Sequence, residues 1–102
     1  VYSVPGATTL GYLLLAYELF PNAFQEKLNI PESNNKVPDI LDESRYEIEW
    51  LLKMQDSKSG GVYHKMGSAY FPDFRMPEYD TGDLYVAPIS ATAIGSFCCR
   101  IF

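Results

Sequence analysis

The sequence predicts an all-α protein of about three helices joined by long loops. Three observations carry that reading. Two segments, "TLGYLLLAYELF" and "SATAIGSFCCRIF", are apolar on almost every side, with Glu18 and Arg100 as their single charges. A third, "VPDILDESRYEIEWLLKMQ", repeats apolar residues at helical spacing. The links between them are polar and rich in Pro, Asn and Gly, as loops are. With 102 residues the chain holds one domain at most.

The first helix is placed from about Thr9 to Phe20, with Pro5 and Gly6 ahead of it and Pro21 as its stop. The apolar run from Val4 to Tyr17 is too short to cross a bilayer, which takes about 20 residues. No targeting signal precedes it, and a chain that begins with Val rather than Met implies an N-terminus already processed or cut. The link from Pro21 to Lys36 is polar. The second helix then runs from about Pro38 to Gln55, with Pro38 suited to the first helical position. Asp39, Asp42 and Glu43 fall at its positive end and Lys53 at its negative end. Ile40, Leu41, Ser44, Ile48, Leu51 and Leu52 make its apolar face, and Trp50 is read as packing against another helix.

The link from Asp56 to Pro88 holds Gly60, Gly61, Gly67, Gly82 and three prolines. A short strand is expected at Gly61 to Met66. A loop of this length is usually functional or is missing its partners. The third helix starts near Ser90. A helix apolar all round must be covered on all sides. Two such helices with one amphipathic helix as cover cannot bury that much surface alone. The chain also stops at Phe102 inside an apolar helical pattern. The expectation is a piece of a larger all-α protein, or a subunit of a tight oligomer built from copies of itself; the piece is preferred.

Composition narrows the partners. The net charge is -5, and the sequence pI is about 4.6. Nucleic acid, which needs clustered Lys and Arg, is excluded, and so is an anionic membrane surface. Aromatics reach 15%, with eight Tyr and six Phe. Their flat apolar faces and polar edges suit a neutral ligand such as a sugar or a peptide. Cys98 and Cys99 are adjacent and poorly placed to bridge each other. No second pair offers metal-ligand spacing, so buried free thiols are expected.

One stretch, "GGVYHKMGSAYFPDFRMPEYD" from Gly60 to Asp80, has the look of a site. It carries the single histidine, His64, beside Lys65, among aromatics and carboxylates. Other carboxylates offer alternatives. Asp39, Asp42 and Glu43 invite a catalytic-pair reading, which helix-dipole complementarity answers better. Glu47 and Glu49 read as a solvated face. Glu78, Asp80 and Asp83 suggest calcium, but their spacing is not that of an EF-hand loop, and loop capping is the simpler reading. Asp80 or Asp83 is also placed to hydrogen-bond His64 and fix its tautomer.

The successive segments "PGATTLGYLLLAYELFPNAF", "NIPESNNKVPDILDESRYEIEWLLKMQD", "GGVYHKM", "FPDFRMPEYD" and "LYVAPISATAIGSF" resemble, in order, glycoside hydrolase family 9, mainly endo-β-1,4-glucanases. The resemblance covers nearly the whole chain. "PDILDESRYEIEWLLKMQ" followed by "GGVYHK" is its most specific part, and it looks like the subgroup often preceded by an immunoglobulin-like domain. It implies a fragment of an (α/α)6 barrel, in which the segments at Thr9 and Ser90 are buried ring members and the helix from Pro38 is more exposed. It implies secretion, and inverting hydrolysis of β-1,4-glucan (cellulose and cellooligosaccharides); from the residues themselves no cofactor or metal site is read.

An inverting pair of carboxyl groups stands about 6.5–9.5 Å apart to admit a water. The family's base lies in an Asp-Ala-Gly-Asp motif just upstream of the stretch that "VYSVPGATTL" resembles, and its acid is a Glu near the end of the domain. Neither motif is in this sequence, and the His and Arg of the family's later substrate-binding segments are missing too. Residues 1–102 are therefore expected to be a partial catalytic domain, without catalytic residues of its own and inactive in isolation, whose partner is the rest of that domain. The resemblance places the loop near the cleft. His64 and Lys65 then become donors to sugar hydroxyls, with a structural histidine held to backbone carbonyls as the alternative. Tyr63 and Phe71, with Tyr70 and Phe74, become a stacking platform, or else pins holding a long loop. A non-catalytic carbohydrate-binding or self-associating fragment is the competing reading.

Overall fold

In a computed structural model, which describes residues 1–71 and 73–95, the chain is mainly helical. Helix α1 spans Ser3–Leu19 and α2 spans Asp39–Lys53, and the two pack together. Residues 91–95 are helical too, at the expected start of the third segment. Short 3-10 turns lie at Pro21–Phe24 and Pro77–Tyr79. A two-stranded antiparallel pair joins β1 (Met66–Gly67) to β2 (Tyr85–Val86), with Met66 opposite Val86 and Gly67 opposite Tyr85. The expected thiols Cys98 and Cys99 lie outside the described residues.

Helix α1 begins six residues before the expected Thr9, because Pro5 and Gly6 lie inside its first turns rather than ahead of it. The first four N–H groups of a helix have no intrahelical acceptor, so the N–H that Pro5 lacks is not missed. Gly6 has a different reason. A Cβ there would meet Glu47 Oε1 of α2 at 2.5 Å, so the glycine leaves room for that carboxylate against α1. At the other end Pro21 does act as the stop: Phe20, the residue before it, leaves helical geometry (φ -134°, ψ 55°). Pro38 sits one position outside α2, as its N-cap in extended geometry, not at its first residue. Its carbonyl accepts from the N–H of Leu41 at 2.8 Å.

The core gathers Ala7 and Leu10 of α1, Leu51 of α2, Met54, Val62 and Ala93. Val4, Leu14, Ile48, Trp50, Tyr63 and Met66 pack around it half-buried, so Trp50 is a packing residue. The face of α2 is close to the expected one: Ile40, Ser44 and Leu51 are buried, but Leu52 points outward. Buried Ser44 is satisfied by donating to the Ile40 carbonyl at 2.7 Å. Helix α1 is different. It buries a stripe of Ser3, Ala7 and Leu10, while Tyr12, Leu13, Leu15 and Leu19 on its other sides are exposed.

The expected strand at Gly61 to Met66 is shorter and lies later, at Met66–Gly67. Ahead of it the chain is extended and bridged singly: Gln55 with Val62, Tyr63 with Ile89, and Lys65 with Tyr2. Gly61 is buried, and a Cβ on it would meet Ile89 Cγ2 at 2.7 Å. Ile89 thus fills the space that a side chain would need.

Candidate functional site

The stretch from Val62 to Gly67 is held on two sides. Toward α1, the Ser3 hydroxyl donates to the Tyr63 carbonyl at 2.6 Å and the Ser3 N–H donates to the His64 carbonyl at 3.0 Å. Toward the returning chain, the Ala87 N–H donates to Lys65 O at 2.7 Å and the His64 N–H to Pro88 O at 3.3 Å. Backbone groups so paired fix where the next side chains emerge.

The rings of His64 and Tyr2 meet in a T-shaped contact, with centroids 5.5 Å apart and planes at 72°. Lys65 Nζ lies 5.3 Å from the Tyr2 ring centre and 5.1 Å from that of Phe71. A groove of about 450 Å³ runs past Val1, Tyr2, Lys65, Tyr70, Phe71 and Asp80. A second hollow of about 370 Å³ shares Tyr70, Phe71 and Asp80 and adds Asp73, Arg75, Asp83 and Tyr85. Phe71 stands between the two, 91% exposed.

Of the four residues expected to form a binding set, the groove brings Lys65 and Phe71 together. Tyr63 is half-buried against the core, and His64 sits on the adjacent stretch; neither lines the groove. The expected hydrogen bond from Asp80 or Asp83 to His64 is absent among the described residues; Asp83 lines the second hollow, and Asp80 borders both it and the groove. Tyr70 lines the groove, and Phe74 is exposed. Among the described residues no cluster of three or more His, Cys, Asp or Glu side chains is placed to hold a metal ion, Glu78, Asp80 and Asp83 included.

The carboxylates at the start of α2 are structural. Asp39 is buried, and its Oδ2 accepts from the Leu28 N–H and from the Ser33 hydroxyl, each at 2.6 Å. Asp42 accepts from the Asn35 amide at 2.9 Å. Glu49 pairs with Arg45 at 3.0 Å on the open surface. Glu47 corrects the expectation of a solvated face: it leans half-buried against Gly6, and burial pushes its carboxyl above the usual glutamate range.

Tyr2 is the residue that sequence patterning missed. It is the N-cap of α1, meets His64 and Lys65 more than sixty positions along the chain, and carries no local signal of that contact.

The two packed helices and their connecting loops superpose on part of an (α/α)6 barrel. The family follows from comparison: residues 1–97 match glycosyl hydrolase family 9, and the chain belongs to that family. It is 41% identical over 97 residues to a xyloglucan-specific endo-β-1,4-glucanase of Bacteroides ovatus, which covers 94% of this chain and 16% of that protein. Endoglucanase D of Acetivibrio thermocellus is 41% identical over 98 residues, with the same shares covered. Among solved structures, a family 9 enzyme of Bacteroides ovatus superposes with TM-score 0.92 at 40% identity, over 98% of this chain and 18% of that one. AaCel9A in complex with cellobiose-like isofagomine superposes with TM-score 0.83 at 40% identity, over 99% of this chain and 20% of that one. The chain thus spans about a sixth of the length of the curated relatives it matches.

Proposed function

We propose that the chain is part of the catalytic domain of a secreted endo-β-1,4-glucanase that hydrolyses cellulose or related β-glucans with inversion. Residues 63–85 form one wall of its substrate cleft in this reading. The observation that carries it is the bare ring of Phe71, set between two hollows beside Lys65, in a chain 41% identical to two endoglucanases. Phe71 offers a flat apolar face to a pyranose ring. His64 and Tyr63 bring polar groups to the binding set, and Lys65 completes it beside Phe71. The carboxyl pair of the inverting reaction belongs to the rest of the domain, and this segment holds the glucan in register with it.

The test uses the full-length protein with cellohexaose, following the anomeric form of the first products by proton NMR. α-Anomers are expected. β-Anomers, or no cleavage of any β-glucan, overturn the reading. The isolated 102-residue chain is expected to release no reducing sugar.

A second reading, self-association of the chain without catalysis, draws on the exposed Tyr12, Leu13, Leu15 and Leu19 of α1. Size-exclusion chromatography with and without cellohexaose separates the two, because a monomer indifferent to sugar counts against it.

A further inference from the structure

We propose that Lys65 is a positioning residue: its ammonium, held between the rings of Tyr2 and Phe71, sets the pose in which the free face of Phe71 receives a sugar. The proposal rests on the sugar-cleft reading above and assigns Lys65 a role within it.

Four observations carry it. The ammonium lies 5.3 Å from one ring centre and 5.1 Å from the other, within the range of a cation–π contact with each. Among the described residues no carboxylate forms an ion pair with it, although Asp80 lines the same groove. The stem of Lys65 runs over Gly67, where a Cβ would stand 3.1 Å from Lys65 Cε. A side chain at 67 would crowd the path of the lysine, so the glycine keeps that path open. Finally, the base of the clamp is fixed. The backbone of Lys65 is bridged to Tyr2 and accepts from Ala87 at 2.7 Å.

Phe71 has no such backing. It is 91% exposed, and among the described residues its ring meets the Lys65 ammonium and no other ring. A ring so free has rotamers to lose on stacking, and a cation fixed beneath one face restricts them before the sugar arrives. Lys65 therefore acts through Phe71 rather than by donating to the glucan.

The experiment is titration of the full-length protein with cellohexaose by calorimetry. Lys65→Met keeps the stem and removes the charge, and it is expected to weaken binding about three- to tenfold. Lys65→Arg, whose guanidinium also stacks on rings, is expected to restore most of that loss. In a Phe71→Ala background, Lys65→Met is expected to add nothing. An equal loss in both backgrounds overturns the proposal, because Lys65 then acts on the sugar directly.

The clamp has its own readout without sugar or a folding-sensitive variant. After reductive 13C-methylation of the unsubstituted protein, the dimethyl signal of Lys65 is expected upfield of the other lysines. It is assigned by its loss in Lys65→Arg. An unshifted signal overturns the clamp. A shifted signal together with Phe71→Ala that binds cellohexaose unchanged leaves the clamp standing but overturns the sugar-cleft reading, and the proposed role with it.

Discussion

Asp39 opens α2 and at the same time accepts the Ser33 hydroxyl at 2.6 Å, tying the preceding loop to the helix it begins. The Ser33 oxygen in turn accepts from the Ile30 N–H at 2.9 Å, and Asp39 also takes the Leu28 N–H. One carboxylate therefore closes a loop that carries no strand and no helix of its own beyond Pro21–Phe24.

Asp39→Ala strands the buried Ser33 hydroxyl and the part-buried Leu28 N–H, and hydrogen bonds to a charged group are worth about 1.5–3 kcal/mol each. A loss of about 3 kcal/mol is expected by denaturant unfolding. Asp39→Asn should lose less, since its amide oxygen still accepts. Equal stability of Asp39→Ala and the unsubstituted protein would show that the loop is held some other way.

Leu51 is fully buried at the meeting point of α1, α2 and the extended stretch at Val62. Leu51→Ala removes its transfer energy and leaves a cavity, at a cost of about 2–5 kcal/mol. Leu52, one residue on and exposed, should tolerate Ala within about 0.5 kcal/mol. Thermal unfolding of the two variants side by side reads the contrast.

Gly61→Ala forces a methyl against Ile89, whose Cγ2 and Cδ1 lie 2.7 Å and 2.8 Å from the new atom. Overpacking of this kind costs about 1–3 kcal/mol. The double variant with Ile89→Ala should recover most of it. A pair whose losses simply add would mean that the two residues do not share the space.

Two carboxyls give opposite dependences on pH. Burial raises Glu47, so its contribution is complete below the ordinary glutamate value and is lost as pH rises through the raised one. Glu47→Gln should therefore gain on the unsubstituted protein as pH climbs from 4 to 7. Asp56 is held low, first by the Ser59 hydroxyl and then by the Ser59 N–H. Its contribution is present above the ordinary aspartate value and is lost as pH falls through the lowered one. Ser59→Ala should narrow the gap between neutral and acid melting temperatures. Melting temperatures across this range check both signs.

Sequence patterning reads α2 well, because its signals are local: charge at both ends and apolar residues on one face. It reads the end of α1 from Pro21 for the same reason. The start of α1 was hidden because Pro5 and Gly6 are breakers by type. Position alone makes Pro5 harmless, and a residue on another helix, Glu47, explains Gly6. In the candidate site, Lys65 and Phe71 were visible as neighbours in one loop. Tyr2 was not, because its contact with them depends on how α1 meets that loop. Asp39 shows the same limit. Its place at a helix N-terminus was legible, but its burial under Ser33 and Leu28 was not.

The pairing of Met66 with Val86 and of Gly67 with Tyr85 also divides the molecule for an engineer. It cinches the chain at a neck, and residues 68–84 leave and return through that one point. Among the described residues the buried core lies outside the enclosed span, in α1, α2, Met54, Val62 and Ala93, with Met66 of the neck packed against it. The enclosed span is a cassette: it can be exchanged for one of different length or ring content while the helical scaffold keeps its packing. Variation in length and ring content then has a place to accumulate without drawing on the stability of the packed helices.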